Sequence, residues 1–154
     1  MLVIVCPNIF HYNIFVVTNI SIQTHPEEKI SKLLTLIGQP ARIKILLIIG
    51  AQEACVCHLE AVTGMRQASI SQHLMALRKT GLVYSRRDGR NMFYHLTQPE
   101  IVDVITQAAQ LTGCSPETLL TLGARPVQGC LCPQCNPGID PKLTCRNTRS
   151  NKSS

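Results

Sequence analysis

The stretch SISQHLMALRKTGLVYSRRDGRNMFYHL, Ser69–Leu96, changes from a helical to an extended pattern at Gly81. Ile70, Leu74 and Leu77 stand at i, i+4 and i+7, a spacing that puts all three on one face of a helix. Glycine readily adopts the left-handed conformation in which many helices end, so we expect the helix to end at Gly81. The residues opposite the apolar face are polar, which predicts a long helix with one buried and one exposed side.

Two strand-like runs, LVYSR and NMFYHL, follow this helix on either side of Arg87-Asp88-Gly89-Arg90. Asp-Gly between β-prone runs is a strong hairpin signal, because both central residues of a type I′ turn need positive φ. The sequence therefore predicts an antiparallel β-hairpin with an arginine-rich tip.

Three helical segments precede the long helix. An amphipathic helix begins near Glu27 and ends at Gly38, and Pro40 fits the first turn of the next helix. That second helix, ARIKILLIIG, is apolar nearly all round and is therefore predicted to lie at the centre of the core. A short segment, VCHLEAVTG, ends at Gly64, and a last long helix is expected over residues 98–111.

The predicted order is helix, helix, short helix, long helix, hairpin and helix. A short helix joined by a tight turn to a longer one is a helix-turn-helix, and the following hairpin is a wing. The fold class is therefore mostly α with a β-hairpin wing (α+β), a winged helix-turn-helix. The competing interpretation of the same helices is an ordinary α+β domain.

Composition divides the chain into three segments. Residues 1–24 are an N-terminal extension without the basic region of a signal peptide, and its polar residues and Pro7 interrupt any spanning helix. We expect it to be dispensable, or to add an element packed on a dimer. Residues 25–113 are the predicted DNA-binding and dimerisation domain, and residues 114–154 are a Cys-rich tail expected to be partly disordered.

The net charge of +6 favours an acidic partner, most commonly nucleic acid. The DNA major groove admits one α-helix, and the long helix carries polar side chains in its first two turns. We predict binding to double-stranded operator DNA, although each polar residue alone could belong to a solvated face and His73 could turn inward. The predicted contacts are Gln67, Ser69, Ser71, Gln72 and His73 near the bases, Arg78 and Lys79 near the backbone, and Arg86, Arg87 and Arg90 in the wing.

One such domain covers only half of a two-fold operator. The amphipathic first and last helices would each expose an apolar stripe in a monomer, and a two-fold dimer would bury both stripes. We therefore predict a homodimer through the first and last helices. The residues expected to be exposed in the monomer are Ile30, Leu33, Leu34, Ile101, Val104 and Ile105.

The eight cysteines cluster, which suits metal or redox chemistry in a reducing, cytoplasmic compartment better than a disulfide framework. Side chains at i and i+2 point about 200° apart on a helix, so C-x-C can bind one ion only where the backbone is not helical at the cysteine or forms an irregular first turn. The candidate metal ligands are Cys55, Cys57, Cys130, Cys132 and Cys135. The two clusters could share one site or bind separately, or the tail thiols could have no ligand role. Cys114 is expected to be a small buried hydrophobe.

The run from CVCHL through SISQHLMALRKTGLVYSRRDGRNMFYHL resembles the ArsR/SmtB family of bacterial metal-sensing repressors, over about Glu27–Leu111. CVCHL is close to the family's CVCDL metal box, SQHLMALRKTGLV matches its [ST]-x-H-L-x-x-L-R-x-x-G-L-V core, and DGR occupies its wing. The resemblance implies a dimeric winged-helix protein that represses metal-efflux or detoxification operons and leaves DNA when metal binds.

The match to the family's metal sites is incomplete. Cys55 and Cys57 match the two cysteines of the box, whereas His58 stands where the family commonly has Asp. Glu60 occupies the position of the third cysteine of the arsenic sensors, and Asp103 has no partner histidine on the last helix. The last-helix zinc site of the family is therefore not expected here.

The expected function is that of a repressor released when As(III), Cd(II), Pb(II) or Zn(II) binds cysteine thiolates. Zinc and cadmium usually take four ligands, so the two box cysteines need further donors, for which the tail is the candidate. The alternative is a redox- or polysulfide-responsive repressor of the same fold. No catalytic constellation stands out, so we expect neither an enzyme nor an organic cofactor, and no membrane partner.

Overall fold

In the computed structural model the described residues are 25–89, 91–140 and 143–144. The predictions on residues 1–24, on Arg90 and on the C-terminal end lie outside them. Nine helices and strands, with one 3-10 turn, make up this part of the chain. They are α1 (Pro26–Ile37), α2 (Pro40–Ala51), β1 (Ala54–Cys55), α3 (Val56–Thr63), α4 (Gln67–Lys79), β2 (Val83–Asp88), β3 (Asn91–Leu96), α5 (Ile101–Leu111) and α6 (Pro116–Leu120), with a 3-10 turn at Thr121–Gly123.

The predicted winged helix-turn-helix is confirmed. Gly64 ends α3 at a φ of 68°, and α4 follows after a short turn. The hairpin pairs β2 with β3 in antiparallel register, which confirms the predicted hairpin, and Gly89 at its tip has a φ of 56°. Asp88 pairs with Asn91 as the last residue of β2, so it is not a central turn residue as the Asp-Gly signal predicts.

Helix α5 begins at Ile101, three residues later than residue 98, where the sequence predicts it. The backbone N–H groups of Ile101 and Val102 bond to the carbonyls of Gln98 and Pro99, which makes residues 98–100 a turn. Proline disfavours the α conformation in the residue before it, so Pro99 prevents the helix from starting at Gln98.

Strand β1 is not predicted from the sequence. It pairs antiparallel with β3, with Ala54 opposite Tyr94 and Cys55 opposite Phe93, so the sheet order is β1-β3-β2. The first cysteine of the box therefore lies on the same sheet as the wing.

Helix α2 is the centre of the core, as its all-round apolar composition predicts. Ile45 to Ile49 are all buried, and the apolar faces of α3 and α4 pack in the same cluster. A Cβ at Gly50 would collide with the Val102 side chain, so glycine is what allows α5 to approach α2 so closely. The core thus fixes α4 and the wing relative to α5.

The apolar stripes of α1 and α5 match the expectation only in part. Ile30, Leu34 and Val104 are 57%, 50% and 42% exposed. Ile101 and Ile105, which were expected to be exposed in a monomer, are each only 5% exposed. They face the core because α5 packs across α2, so the stripe available to a partner is narrower than the sequence suggests.

Among the described residues no single helix has the length and apolar composition needed to cross a membrane; α1 and α2 would pass that test only as a pair, and they meet at 90°.

Candidate metal centre and DNA-binding surface

The cysteine box lies at the junction of β1 and α3. Cys55 is the residue before α3 and has extended backbone, with φ −88° and ψ 165°, whereas Cys57 lies in the first helical turn. The backbone at Cys55 thus meets the condition under which both cysteines of C-x-C can approach one point, and their two sulfurs are 3.0 Å apart. Cys57 is disulfide-bonded, so Cys55 supplies the thiol of the box.

The tail cysteines are folded into a compact turn. The side-chain amide of Asn136 donates to the carbonyl of Cys130 at 2.6 Å and to that of Cys132 at 3.3 Å. The backbone N–H of Cys135 donates to Cys132 Sγ at 3.4 Å. Cys130, Cys132 and Cys135 are 4%, 0% and 8% exposed, so this part of the tail is packed.

The tail turn lies against the first turn of α3. His58 Nδ1 is 3.5 Å from Cys130 Sγ and 3.3 Å from Cys135 Sγ. One ligand atom from each of His58, Cys130, Cys132 and Cys135 lies within 4.8 Å of all the others. Cys55 belongs to the same buried cluster, so the structure brings the box and the tail together. Below we call these five residues the thiol–imidazole cluster.

His58 was not predicted as a ligand. It is fully buried, and its Nε2 has no hydrogen-bond partner among the described residues, while Nδ1 points at the sulfurs. The signal available in the sequence was its position directly behind the C-x-C box.

Hydrogen bonds between the thiols distinguish Cys132 from its neighbours. Bonds from Cys130, Cys55 and His58 lower the pKa of Cys132, because each favours the thiolate. The same bonds, together with burial, raise the pKa of Cys55 and of Cys130. The cluster therefore favours one thiolate, Cys132, bonded by the thiols around it.

The donor set fits a soft or borderline ion. The set offers three sulfurs and one imidazole nitrogen, all buried. This combination is typical of closed four-coordinate Zn(II) sites, and thiolates also suit Cd(II). Cys114, predicted to be buried, is instead exposed, because it follows α5 at the helix end, and it lies outside the cluster.

A polar network joins the tail turn to the wing through Glu53. Arg86 Nη2 donates to the two carboxylate oxygens of Glu53 at 2.8 and 3.0 Å, and His95 Nε2 lies 2.6 Å from Oε2. Gln134, between two tail cysteines, donates to Glu53 Oε1 at 3.0 Å. Arg125 donates to the Glu53 carbonyl at 2.7 Å and also bonds to Gln134.

The predicted DNA-contacting side chains lie along α4 and the wing. Ser69 and His73 are half-buried, and burial together with the charge of Arg42 lowers the pKa of His73, which favours its neutral form. The others on described residues are exposed: Gln67, Ser71, Gln72, Arg78, Lys79, Arg86 and Arg87.

Residues 39–85 match the family described as bacterial regulatory protein, arsR family. The biofilm growth-associated repressor of Agrobacterium fabrum is 33% identical over 58% of this chain and 75% of its own. A transcriptional repressor SmtB homolog of Synechocystis is 28% identical; the match covers 53% of this chain and 62% of the length of that protein. The arsenical resistance operon repressor of Staphylococcus xylosus is 27% identical over 72% of this chain and 95% of its own.

Solved structures share the fold. Reduced HlyU from Vibrio cholerae is 30% identical, with a TM-score of 0.51 over 55% of this chain and 90% of its own. A homodimeric winged helix-turn-helix DNA-binding domain from Mycobacterium bovis, 19% identical, has a TM-score of 0.52 over 64% of this chain and 91% of its own. With this fold, and 33% identity across 75% of the Agrobacterium protein, the chain belongs to the arsR family of bacterial regulatory proteins, which bind DNA.

Proposed function

We propose that the chain is a metal-responsive repressor that binds operator DNA as a homodimer and is released when a soft metal ion occupies the thiol–imidazole cluster. The observation that carries this proposal is the meeting of His58 with the three tail cysteines, all buried and within 4.8 Å. Their ligand atoms converge in the protein interior, and an ion bound there would replace the contacts among them with four metal–ligand bonds.

The ligand set we propose is Cys130, Cys132 and Cys135 with His58, and Cys55 beside them through its bond to Cys132. Cys57 joins this set only as a thiol, because a disulfide sulfur is not a thiolate donor. The imidazole favours Zn(II) or Cd(II) over As(III), which three thiolates satisfy. A relative's name, arsenical resistance operon repressor, keeps As(III) among the ions to be tested, with Pb(II).

On DNA, we propose that α4 lies in the major groove and the wing beside it. Gln72 and its neighbours on the exposed face would read base edges, while Arg78, Lys79, Arg86, Arg87 and Arg90 would attract phosphates. The exposed apolar residues of α1 and α5 would pair with a second copy, which sets two α4 helices on one face.

The cluster has a direct mechanical route to the DNA-binding surface. Cys55 is paired with Phe93 of the wing, and α3, which carries His58, is joined by a short turn to α4. An ion that pulls the box against the tail would therefore shift β3 and the start of α3 together. Because the ion would bind one arrangement more tightly than the other, it would shift the protein toward that arrangement and so change the affinity for DNA.

The proposal is tested by measuring binding to a DNA duplex selected by the wild-type protein from a random pool, with and without Cd(II). We expect Cd(II) to weaken wild-type binding roughly 5- to 150-fold, and Cys132→Ser to lose most of that effect. Cys114→Ser is the matched control, because that thiol is exposed and outside the cluster. Full release of Cys132→Ser by Cd(II) would rule out the cluster as the sensor.

A redox-responsive repressor is the second candidate. Two observations favour it: the sulfurs of Cys55 and Cys57 are 3.0 Å apart, and Cys57 is disulfide-bonded. A structural relative is also described as reduced HlyU, which names a redox state of that protein. Release of DNA by diamide, reversed by dithiothreitol and insensitive to Cd(II), would support this candidate over the metal sensor.

A further inference from the structure

Glu53 lies between the tail turn and both strands of the wing. Its carboxylate accepts from Gln134 of the tail and from Arg86 of β2, and it lies 2.6 Å from His95 of β3. The Glu53 side chain is 20% exposed and that of Arg86 is 47% exposed. The carboxylate is therefore fixed from several sides, whereas the guanidinium it holds borders solvent.

The tail positions this carboxylate. Gln134 stands between Cys132 and Cys135, so its position depends on how the tail turn is folded. Arg125 bonds to Gln134 and also to the Glu53 carbonyl, which ties the backbone of Glu53 to the same turn. A tail that leaves α3 would remove both ties.

Arg86 is the residue through which this network would act on DNA. It also pairs with Asp88 at 3.3 Å and lies over the Phe93 ring at 5.5 Å, and Phe93 packs in the buried cluster that contains Cys55 and the tail cysteines. A guanidinium held by two carboxylates is charge-compensated, so it attracts a DNA phosphate less than the same group alone.

We propose that Glu53 is a relay between the thiol–imidazole cluster and the wing: the folded tail, through Gln134, holds Glu53 on Arg86 and withdraws that arginine from DNA. When the tail is released, Glu53 loses its ties and Arg86 is free to reach a phosphate. Glu53 is thus a positioning residue that acts through Arg86. This inference rests on the proposed function, in which a bound metal ion holds the tail against α3.

The test is Glu53→Gln, which keeps the size and removes the charge. We expect the variant to bind Cd(II) with wild-type stoichiometry and thiolate charge-transfer absorption, but to lose DNA much less on adding Cd(II). Gln134→Ala should act in the same direction. Glu60→Gln, on α3, is the matched control for removing one negative charge, and it should respond to Cd(II) as wild type does.

A double-mutant cycle separates the relay from a general effect on the fold. In an Arg86→Ala background, Glu53→Gln should change DNA binding no further, because Glu53 then has no guanidinium to hold. Equal Cd(II)-induced release by wild type and Glu53→Gln would overturn the relay and leave the proposed function standing. If wild type binds Cd(II) and keeps its DNA, the proposed function fails, and the relay fails with it.

Discussion

The sulfur of Cys135 lies 3.3 Å from Nδ1 of His58, although 77 residues separate them in the chain. This contact joins the Cys-rich tail to α3, the helix that directly precedes α4. It places His58 and the three tail cysteines in one buried set of candidate metal ligands. The contact therefore connects the thiols of the tail to the helix-turn-helix.

Replacing His58 with Gln should weaken Cd(II) binding by at least about tenfold, because it removes the nitrogen donor and leaves a buried amide. Isothermal titration, or competition with a chelator of known affinity, measures the change. His73→Gln is the control, since His73 lies on α4 outside the cluster and its replacement should leave Cd(II) affinity unaltered. Unchanged affinity in His58→Gln would mean that His58 is only a core residue.

Replacing Leu34 with Glu should dissociate the proposed dimer. Leu34 is 50% exposed beside Ile30, and a carboxylate in a buried apolar interface is strongly unfavourable. Lys32→Glu is the control, because residue 32 points about 200° away from residue 34 on α1. Sedimentation equilibrium distinguishes the two variants, and a Leu34→Glu protein that remains dimeric places the interface elsewhere.

Two substitutions on the DNA-binding surface should have different signatures. Gln72→Ala should relax sequence preference, because a glutamine pairs with adenine through both of its amide atoms. Arg87→Ala, in the wing, should weaken binding to every sequence and reduce the salt dependence by about one phosphate contact. Competition among selected and scrambled duplexes at several salt concentrations separates the two, and identical behaviour would contradict the assignment.

The Gly50→Ala substitution should lower the free energy of unfolding by about 1–3 kcal/mol, because the added methyl group collides with Val102 and forces α5 away from α2. Chemical denaturation measures the change. Gln110→Ala, on the exposed side of α5, should leave the stability nearly unaltered. An unchanged free energy of unfolding in Gly50→Ala would contradict this prediction, because it would show that the α2–α5 interface accommodates the added methyl group.

The order of the elements follows from local pattern. Sequence alone predicts α2, α4 and the hairpin, because the apolar composition of α2, the i, i+4, i+7 spacing of α4 and the Asp-Gly hairpin signal each act over a few residues. Strand β1 could not be predicted in the same way, because two residues are too few to show the alternation of apolar and polar side chains that marks a strand. Only its pairing with Phe93 and Tyr94 defines it.

The site was predictable only in part, because it depends on tertiary contacts. The cysteines could be picked out by their spacing, but His58 becomes a candidate ligand only when a segment far along the chain folds onto it. Burial was misjudged in both directions: Cys114 is exposed, and Ile101 and Ile105 are buried. In each case the burial of the residue depends on how α5 packs and where it ends, and not on the hydrophobicity of the residue itself.

The central claim is that His58 and the tail cysteines hold one ion. X-ray absorption on the Zn(II)-loaded chain tests it most directly, compared with the same chain cut before Gly129. We predict a first shell of three sulfurs and one nitrogen in the full chain, and the loss of those sulfurs after truncation. An identical first shell in both proteins would contradict the account, because the tail would then supply no ligand.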